Sequence, residues 1–280
     1  MRFVILHYHI FKNAGSTIEN ILDAYFGERF CRLDTPDPNA CISNSAVLSH
    51  LESNPQIGAI SSHQIRHPVP MAPGFLFFDL CFLRDPLDRI GSIYHYLREK
   101  PVENDPLSDL AIRCDLRDFI IRVMEHMPQY VDNVQVNLLA NGTSGYRSPS
   151  QQDFDCAVER MLDTSFLGVV DCFDESLVAG QYLLNPVFPG FDCAQPPVNA
   201  SQRLGESFSS RLSSMEESCG EQVFAELQRL NALDSELVSR ARAEVARRLE
   251  MVPDASIRWL KRKKQLPSDQ TSVQQNVSNG

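Results

Sequence analysis

Short strand-like runs and segments with helical spacing alternate along most of this chain. Four runs have the length and composition of buried β-strands, and they cover residues 3–10, 57–62, 75–83 and 166–170. Other segments repeat apolar residues every three or four positions, and they predict helices after residue 17 and at 86–97, 105–127, 130–140, 150–162 and 232–250. This alternation predicts an α/β fold with a mainly parallel central sheet.

Polar residues that favour helix N-termini stand at several of the predicted helix starts. Asp115 divides the segment 105–127 into two helices and caps the second. Ser150 is followed by Asp153 at the third helical position, which is the spacing of a capping box. Asp174 is the predicted cap of a further helix that follows the run 166–170.

The first strand turns through a short polar loop into a helix. The loop reads Phe11-Lys12-Asn13-Ala14-Gly15-Ser16-Thr17. Backbone N–H groups at such a turn, together with the helix dipole, favour an anion, and Lys12 adds a full positive charge. A Walker A loop has its lysine after the last glycine, whereas Lys12 precedes Gly15. The loop therefore predicts a site for a phosphate-like group and weakens an assignment to ATP with magnesium.

A second candidate site follows the run 75–83, which is apolar enough to be buried on both faces of a sheet. Arg84 comes next, and Asp85-Pro86 suits a helix start. Arg84 is therefore expected at the carboxyl end of a central strand, where open α/β sheets bind ligands, with Ser92 about two turns into the helix. A structural ion pair with Asp85 or Asp88 is the alternative role for Arg84.

Together the two segments resemble the PAPS-dependent sulfotransferases, and in particular the carbohydrate branch called sulfotransferase family 2. Residues 9–17 are similar to that family's loop H-I-P-K-T-x-G-[ST]-[ST], with Phe11 at the proline position. Residues 82–86 are similar to its motif F-x-R-[DN]-P, and Ser92 stands eight residues after Arg84, as the family requires. Weaker similarities occur at 132–139 and 168–177, and the resemblance extends over about residues 3–250.

The resemblance implies a P-loop-like three-layer sandwich and a sulfotransferase activity. Such an enzyme moves a sulfuryl group from 3′-phosphoadenosine 5′-phosphosulfate (PAPS) to a hydroxyl of a carbohydrate or another small alcohol, and releases PAP without a metal. Lys12 would also stabilise charge on the leaving oxygen. The residues implied to bind the donor are Lys12, Asn13, Ala14, Gly15, Ser16, Thr17, Arg84 and Ser92.

The family also often places a catalytic histidine after a short strand, as His63 follows 57–62. A neutral imidazole there could accept the proton of the acceptor hydroxyl. A hydrogen-bonded loop histidine is the structural alternative for His63. His67 is the next candidate base, and a carboxylate in the segment 171–175 is the third.

Two other classes of function stay open. A P-loop-type kinase or nucleotidase would require ATP and magnesium, and the position of Lys12 disfavours it. An inactive nucleotide-binding module would keep the pocket and lack turnover. The basic run 258–264 could touch the 3′-phosphate or form a solvated charged surface.

Charge and composition limit the partners. The 280-residue chain has a formal net charge of −10, which disfavours nucleic acid and argues against a long polyanion as acceptor. A neutral sugar, a lipid-linked glycan or a small alcohol is easier to reconcile with that charge. Eight cysteines without a C-x-x-C pair give little support for a zinc site.

The chain length and hydropathy predict a single domain over 1–264 and a disordered polar tail over 265–280. The segment 185–207, rich in Pro, Asn and Ser, is expected to be either an ordered loop near the site or a flexible lid. No apolar run reaches the length of a membrane span, and the chain enters a predicted strand at its start. Animal Golgi members of the resembled family carry a membrane anchor, so the resemblance together with these features implies a soluble, cytoplasmic enzyme of the bacterial type.

Overall fold

A computed structural model describes residues 1–37, 40–142, 146–194 and 206–254. The basic run 258–264, the predicted tail 265–280 and the middle of the predicted loop 185–207 lie outside these ranges. The described part contains a five-stranded sheet. Its strands are β1 (Arg2–Tyr8), β2 (Phe30–Arg32), β3 (Ala59–Ser62), β4 (Phe75–Leu83) and β5 (Phe166–Val169).

Helices connect and follow these strands. The first six are α1 (Gly15–Phe26), α2 (Asn44–Ser53), α3 (Pro86–Glu99), α4 (Pro106–Arg113), α5 (Leu116–His126) and α6 (Val134–Ala140). The others are α7 (Gln151–Asp163), α8 (Phe173–Leu184), α9 (Phe208–Cys219), α10 (Glu221–Leu230) and α11 (Ala232–Glu250). Short 3₁₀ turns occupy Gly27–Arg29, Pro128–Tyr130 and Val170–Cys172.

The sheet is parallel throughout, with strand order β2-β3-β1-β4-β5. Tyr8 at the end of β1 pairs with Ser62 of β3 on one side and with Cys81 of β4 on the other. The carboxyl ends of the three central strands therefore meet at one edge, which is where open α/β sheets bind ligands. The segments that follow them carry the loop 11–17, His63 and Arg84.

Helices cover both faces of the sheet and form the outer layers of a three-layer sandwich. Successive residues of a strand point to opposite faces, and Val4 and Leu6 pack with α2, α6, α7 and α11, whereas Ile5 packs with α1 and α8. A third apolar cluster joins α3, α4, α5, α9 and α10. The predicted α/β sandwich with a parallel sheet is confirmed. Within the described ranges, no helix combines the length and hydrophobicity that crossing a membrane requires.

The predicted capping residues are confirmed except for one. The Asp85 carboxylate accepts the backbone N–H groups of Leu87 and Asp88, Asp115 caps α5, and Ser150 with Asp153 forms a complete capping box. Asp174 does not cap α8, because that helix begins one residue earlier, at Phe173, after a 3₁₀ turn.

Several boundaries also differ from the prediction. β1 ends at Tyr8, β3 begins at Ala59, and the helix predicted at 130–140 begins at Val134 after a 3₁₀ turn. The first half of β4 is not buried on both faces, since Leu76 is 48% exposed. The segments of β2, α2, α9 and α10 were not predicted from the sequence.

A buried side chain joins the two candidate motifs. The Asn13 amide donates to the Phe82 carbonyl at 2.8 Å and to Gln135 Oε1 at 2.8 Å. Gln135 Oε1 also accepts the Arg84 N–H at 2.9 Å, and Gln135 Nε2 donates to the Arg84 carbonyl at 2.8 Å. Asp234 at the start of α11 accepts the N–H groups of Gln135 and Val136. The loop, the end of β4 and α6 are therefore held by one amide.

Replacement of this amide should destabilise the fold. Gln135→Leu removes one of the two acceptors of the Asn13 amide and the partner of both Arg84 backbone groups at a fully buried position, so we expect a loss of about 2–4 kcal/mol in the free energy of unfolding. Urea unfolding measures it. The matched control Gln228→Leu, on the exposed side of α10, should stay within about 0.5 kcal/mol of the wild type. Equal stability of the two variants would contradict the role of Gln135.

Candidate functional site

The loop between β1 and α1 has the backbone of an anion site. Lys12 and Ala14 both adopt positive φ angles, 67° and 63°, which non-glycine residues seldom do. The N–H groups of Thr17 and Ile18 both donate to the Ala14 carbonyl. In contrast, the backbone N–H groups of Ala14, Gly15 and Ser16 donate to no residue that the structure describes. The loop therefore presents free donors at the N-terminus of α1, where the helix dipole favours negative charge.

Gly15 is required by the histidine that precedes the loop. A β-carbon added to Gly15 would lie 1.9 Å from the ring of His9. His9 Nδ1 lies 3.0 Å from the Glu19 carboxylate, which also accepts hydrogen bonds from Arg32 and Ser61. Burial raises the pKa of Glu19, but the hydrogen bonds from His9, Arg32 and Ser61 outweigh it and hold that pKa well below its usual range.

Tyr96 of α3 holds two residues of the loop. The Phe11 ring meets the Tyr96 ring edge-on at 5.8 Å, and the Lys12 Nζ lies 3.9 Å from the centre of the same ring. Phe11, which stands where the family has proline, thus anchors the loop to α3. Burial, with a smaller contribution from the charge of Arg84, lowers the pKa of Lys12 to about 8. A bound anion would favour the protonated amine and raise this pKa again.

Arg84 is brought to the loop and is also ion-paired. Its Nη1 donates to the Lys12 carbonyl at 2.8 Å, while its Nε and Nη2 each lie 2.8 Å from Asp88 Oδ2. The structural ion pair considered for Arg84 therefore forms with Asp88, and Asp85 is used as the helix cap. Arg84 and Ser92 line one cavity of about 200 Å³.

Arg211 of α9 completes that cavity and was not identified from the sequence. Its Nε and Nη2 lie 2.7 and 3.0 Å from the two oxygens of Asp88. Burial raises the pKa of the Asp88 carboxyl, but hydrogen bonds from Arg211 and the charge of Arg84 bring it below its ordinary value. Arg211 lies 127 residues after Arg84 in a helix without a recognisable motif, so only the packing of α9 on α3 brings the two arginines together.

His63 lies on the other side of β1 from Arg84 and forms a dyad with Asp34. Its Nδ1 is 3.0 Å from Asp34 Oδ2, and Asp34 Oδ1 accepts the His63 N–H and the Ser62 hydroxyl. The His63 ring stacks on His9 at 3.9 Å between centroids. Because His9 also packs on Gly15, one ring separates His63 from the loop between β1 and α1. The His63 side chain is 43% exposed, so its Nε2 can meet a ligand.

The environment lowers the pKa of His63. Partial burial and the neighbouring His9 lower it, and the carboxylate of Asp34 raises it by a smaller amount. An Nδ1–H that donates to Asp34 leaves the Nε2 lone pair available as a base. Asp34 was not identified from the sequence, because it follows β2, an edge strand of three residues with no periodic pattern.

Two other candidate bases, His67 and Asp171, are buried or ion-paired. His67 is buried, stacks on Tyr8 at 3.8 Å, and has its pKa lowered to about 3 by burial and the charge of Arg160. In the segment 171–175, the Asp171 carboxylate is paired with Arg242 at 2.6 Å. Of these candidates, His63 combines exposure with a hydrogen-bonded carboxylate.

The described residues contain no group of three or more His, Cys, Asp or Glu side chains arranged to hold a metal ion.

No protein-family model matches the chain. The chain is 25% identical over 238 residues to an uncharacterized protein of Archaeoglobus fulgidus, and the match covers 83% of this chain and 93% of that protein. The name of this relative describes no activity.

The Asp34–His63 contact makes a direct prediction about titration. In an NMR titration of the histidine ring, His63 should titrate below its ordinary value of 6.5, because burial and His9 outweigh Asp34. Asp34→Asn removes the group that raises this pKa, so the variant should titrate at still lower pH. An unchanged or higher pKa in Asp34→Asn would show that the carboxylate does not act on the ring.

Proposed function

We propose that this protein is a PAPS-dependent sulfotransferase that moves a sulfuryl group to a hydroxyl of a carbohydrate or another small alcohol. One observation carries the proposal. The phosphate loop and Arg84 follow neighbouring parallel strands and are joined by the 2.8 Å hydrogen bond from Arg84 to the Lys12 carbonyl. Two motifs separated by about 70 residues thus face one donor site, as the resemblance to the sulfotransferases implies.

The residues present fit the two ends of the donor. The free N–H groups of residues 14–16 and the Lys12 amine suit the 5′-phosphosulfate, which carries negative charge beside the helix N-terminus. The cavity that Arg84 and Ser92 line suits the 3′-phosphate, because a guanidinium and a hydroxyl donate charge-assisted hydrogen bonds to phosphate oxygens. The 3′-phosphate takes no part in the chemistry and distinguishes PAPS from ATP.

His63 and Lys12 have complementary roles in the proposed transfer. His63 Nε2 accepts the proton of the acceptor hydroxyl as its oxygen forms a bond to sulfur. The bond between sulfur and the bridging phosphate oxygen breaks, and PAP keeps the electron pair. Lys12 and the loop N–H groups stabilise the charge that develops on this oxygen. Asp34 holds the His63 ring with Nε2 outward.

The acceptor is expected on the exposed side of His63. A recess of about 20 Å³ adjoins this residue, and both apolar and polar residues line it, among them Ile10, Leu138, Ser62 and Arg66. It has room for one small group, so most of the acceptor would lie outside it, along the edge of the sheet. The proposal keeps the expectation of a single-domain, soluble, cytoplasmic enzyme that needs no metal.

Nucleotide binding tests the donor. PAP should bind at least about tenfold more tightly than ADP or ATP with magnesium, since Arg84 and Ser92 contact the 3′-phosphate. Arg84→Ala should reduce this preference by about tenfold or more. Because Arg84 also donates to the Lys12 carbonyl, the variant should bind both PAP and ADP less tightly. The ratio of the PAP affinity to the ADP affinity is therefore the quantity to compare with that of the wild type. Isothermal titration calorimetry measures it.

Arg240→Ala is the matched control, because it removes an arginine from an exposed ion pair with Glu236 on α11. It should keep the wild-type ratio. Equal affinity of the wild type for PAP and ADP would refute the donor assignment, and tight binding of ATP with magnesium would favour a kinase or nucleotidase. Tight PAP binding without sulfuryl transfer to any acceptor would indicate an inactive module.

Turnover tests the base. His63→Ala should slow sulfuryl transfer by roughly two to four orders of magnitude while PAP affinity stays near that of the wild type. The assay follows PAP release with the best acceptor from a panel of monosaccharides and simple alcohols. The pH–rate profile should show an ionisation below 6.5 that the variant lacks, with activity lost as His63 becomes protonated. The control His126→Ala changes an exposed histidine at the end of α5. Activity retained in His63→Ala would place the base elsewhere.

A further inference from the structure

Two arginines from separate elements hold a single buried carboxylate. Asp88 is 7% exposed and lies in the first turn of α3. Arg84, which follows β4, lies 2.8 Å from its Oδ2, and Arg211 of α9 contacts both of its oxygens at 2.7 and 3.0 Å. Arg211 also donates to the Glu206 carbonyl at 2.9 Å, which fixes the plane of its guanidinium. The arrangement joins α9 to the end of β4.

The cluster of Arg84, Arg211 and Asp88 has a net positive charge and N–H donors that its own contacts do not use. Two guanidinium groups contact one carboxylate, so these three groups together carry a net positive charge, which the charges of Asp85, Asp171 and Glu206 partly offset. A guanidinium has five N–H donors, and the contacts of Arg84 and Arg211 with Asp88 and with carbonyls use only some of them. Both arginines line the cavity of about 200 Å³ together with Ser92 and Ser214. The cavity therefore has two fixed cations and hydroxyl groups on its wall, in a chain whose net charge is −10.

We infer that Arg211 is a second ligand of the donor's 3′-phosphate and determines, together with Arg84, the preference for a 3′-phosphorylated nucleotide. Asp88 holds the two guanidinium groups at fixed positions before the phosphate arrives. This preorganisation reduces the conformational entropy lost on binding. The inference rests on the proposed function, because it assigns a further residue to the donor site.

A purely structural role for Arg211 makes a different prediction. If Arg211 only held α9 against Asp88, its loss would lower the thermal stability and would weaken the binding of every nucleotide to the same extent. If Arg211 binds the 3′-phosphate, its loss weakens the binding of PAP. The binding of 5′-AMP, which lacks that phosphate, stays nearly unchanged. The ratio of the two dissociation constants separates these roles.

The experiment measures PAP and 5′-AMP binding by isothermal titration calorimetry in the wild type, Arg211→Gln, Arg211→Lys and the exposed-pair control Arg240→Gln. Arg211→Gln should reduce the preference for PAP over 5′-AMP by about tenfold or more, with 5′-AMP affinity within about twofold of the wild type. Arg211→Lys keeps a charge but loses the planar fork, so it should lose part of the preference. Arg240→Gln should keep all of it.

An unchanged preference in both Arg211 variants would overturn the inference, as would an equal loss of affinity for the two nucleotides. Should Arg211→Gln fail to fold, Arg211→Lys decides alone, because its amine can still pair with Asp88, and a wild-type preference in that variant would overturn the inference. Failure of the proposed function is recognised separately. In that case the wild type itself shows no preference for PAP over 5′-AMP.

Discussion

The buried amide of Gln135 is the contact on which the candidate site depends. It accepts hydrogen bonds from the Asn13 side chain and the Arg84 N–H, and it donates to the Arg84 carbonyl. The polar loop after β1 and the end of β4 are thereby locked together in an interior where an unpaired amide would be costly. Asp234 in turn holds the N-terminus of α6, on which Gln135 lies. The position of Arg84 relative to Lys12 follows from this network.

Carboxylates position the positively charged and basic groups around the loop. Asp34 orients His63 on the β3 side, Asp88 fixes Arg84 and Arg211 on the β4 side, and Glu19 holds His9 between them. These pairings explain how an acidic chain can present a local excess of donors and positive charge. In the proposed function, an anion would meet side chains that are already oriented, so little of its binding free energy would be spent on ordering them.

Local sequence patterns were sufficient for the parts of the site that lie within one strand–loop–helix unit. The polar loop after β1 and the cap at Asp85 were predicted and are present, although α1 begins at Gly15 and not after Thr17. Asp34 and Arg211 were missed because each acts through a partner distant in sequence. The 3-residue strand before Asp34 is too short to show alternation, and the helix that carries Arg211 contains no motif.

The sequence by itself determined the α/β class, the parallel sheet and the residues that follow its strands, because hydrophobic periodicity and helix caps are local properties. It left open whether Arg84 would pair with a carboxylate, whether His63 or His67 would be accessible, and which groups would orient them. The tertiary structure decided these points: it buries His67 against Tyr8, leaves His63 exposed beside Asp34, and brings α9 against α3. Such contacts depend on how distant segments pack, and packing is not encoded in the periodicity of any one segment.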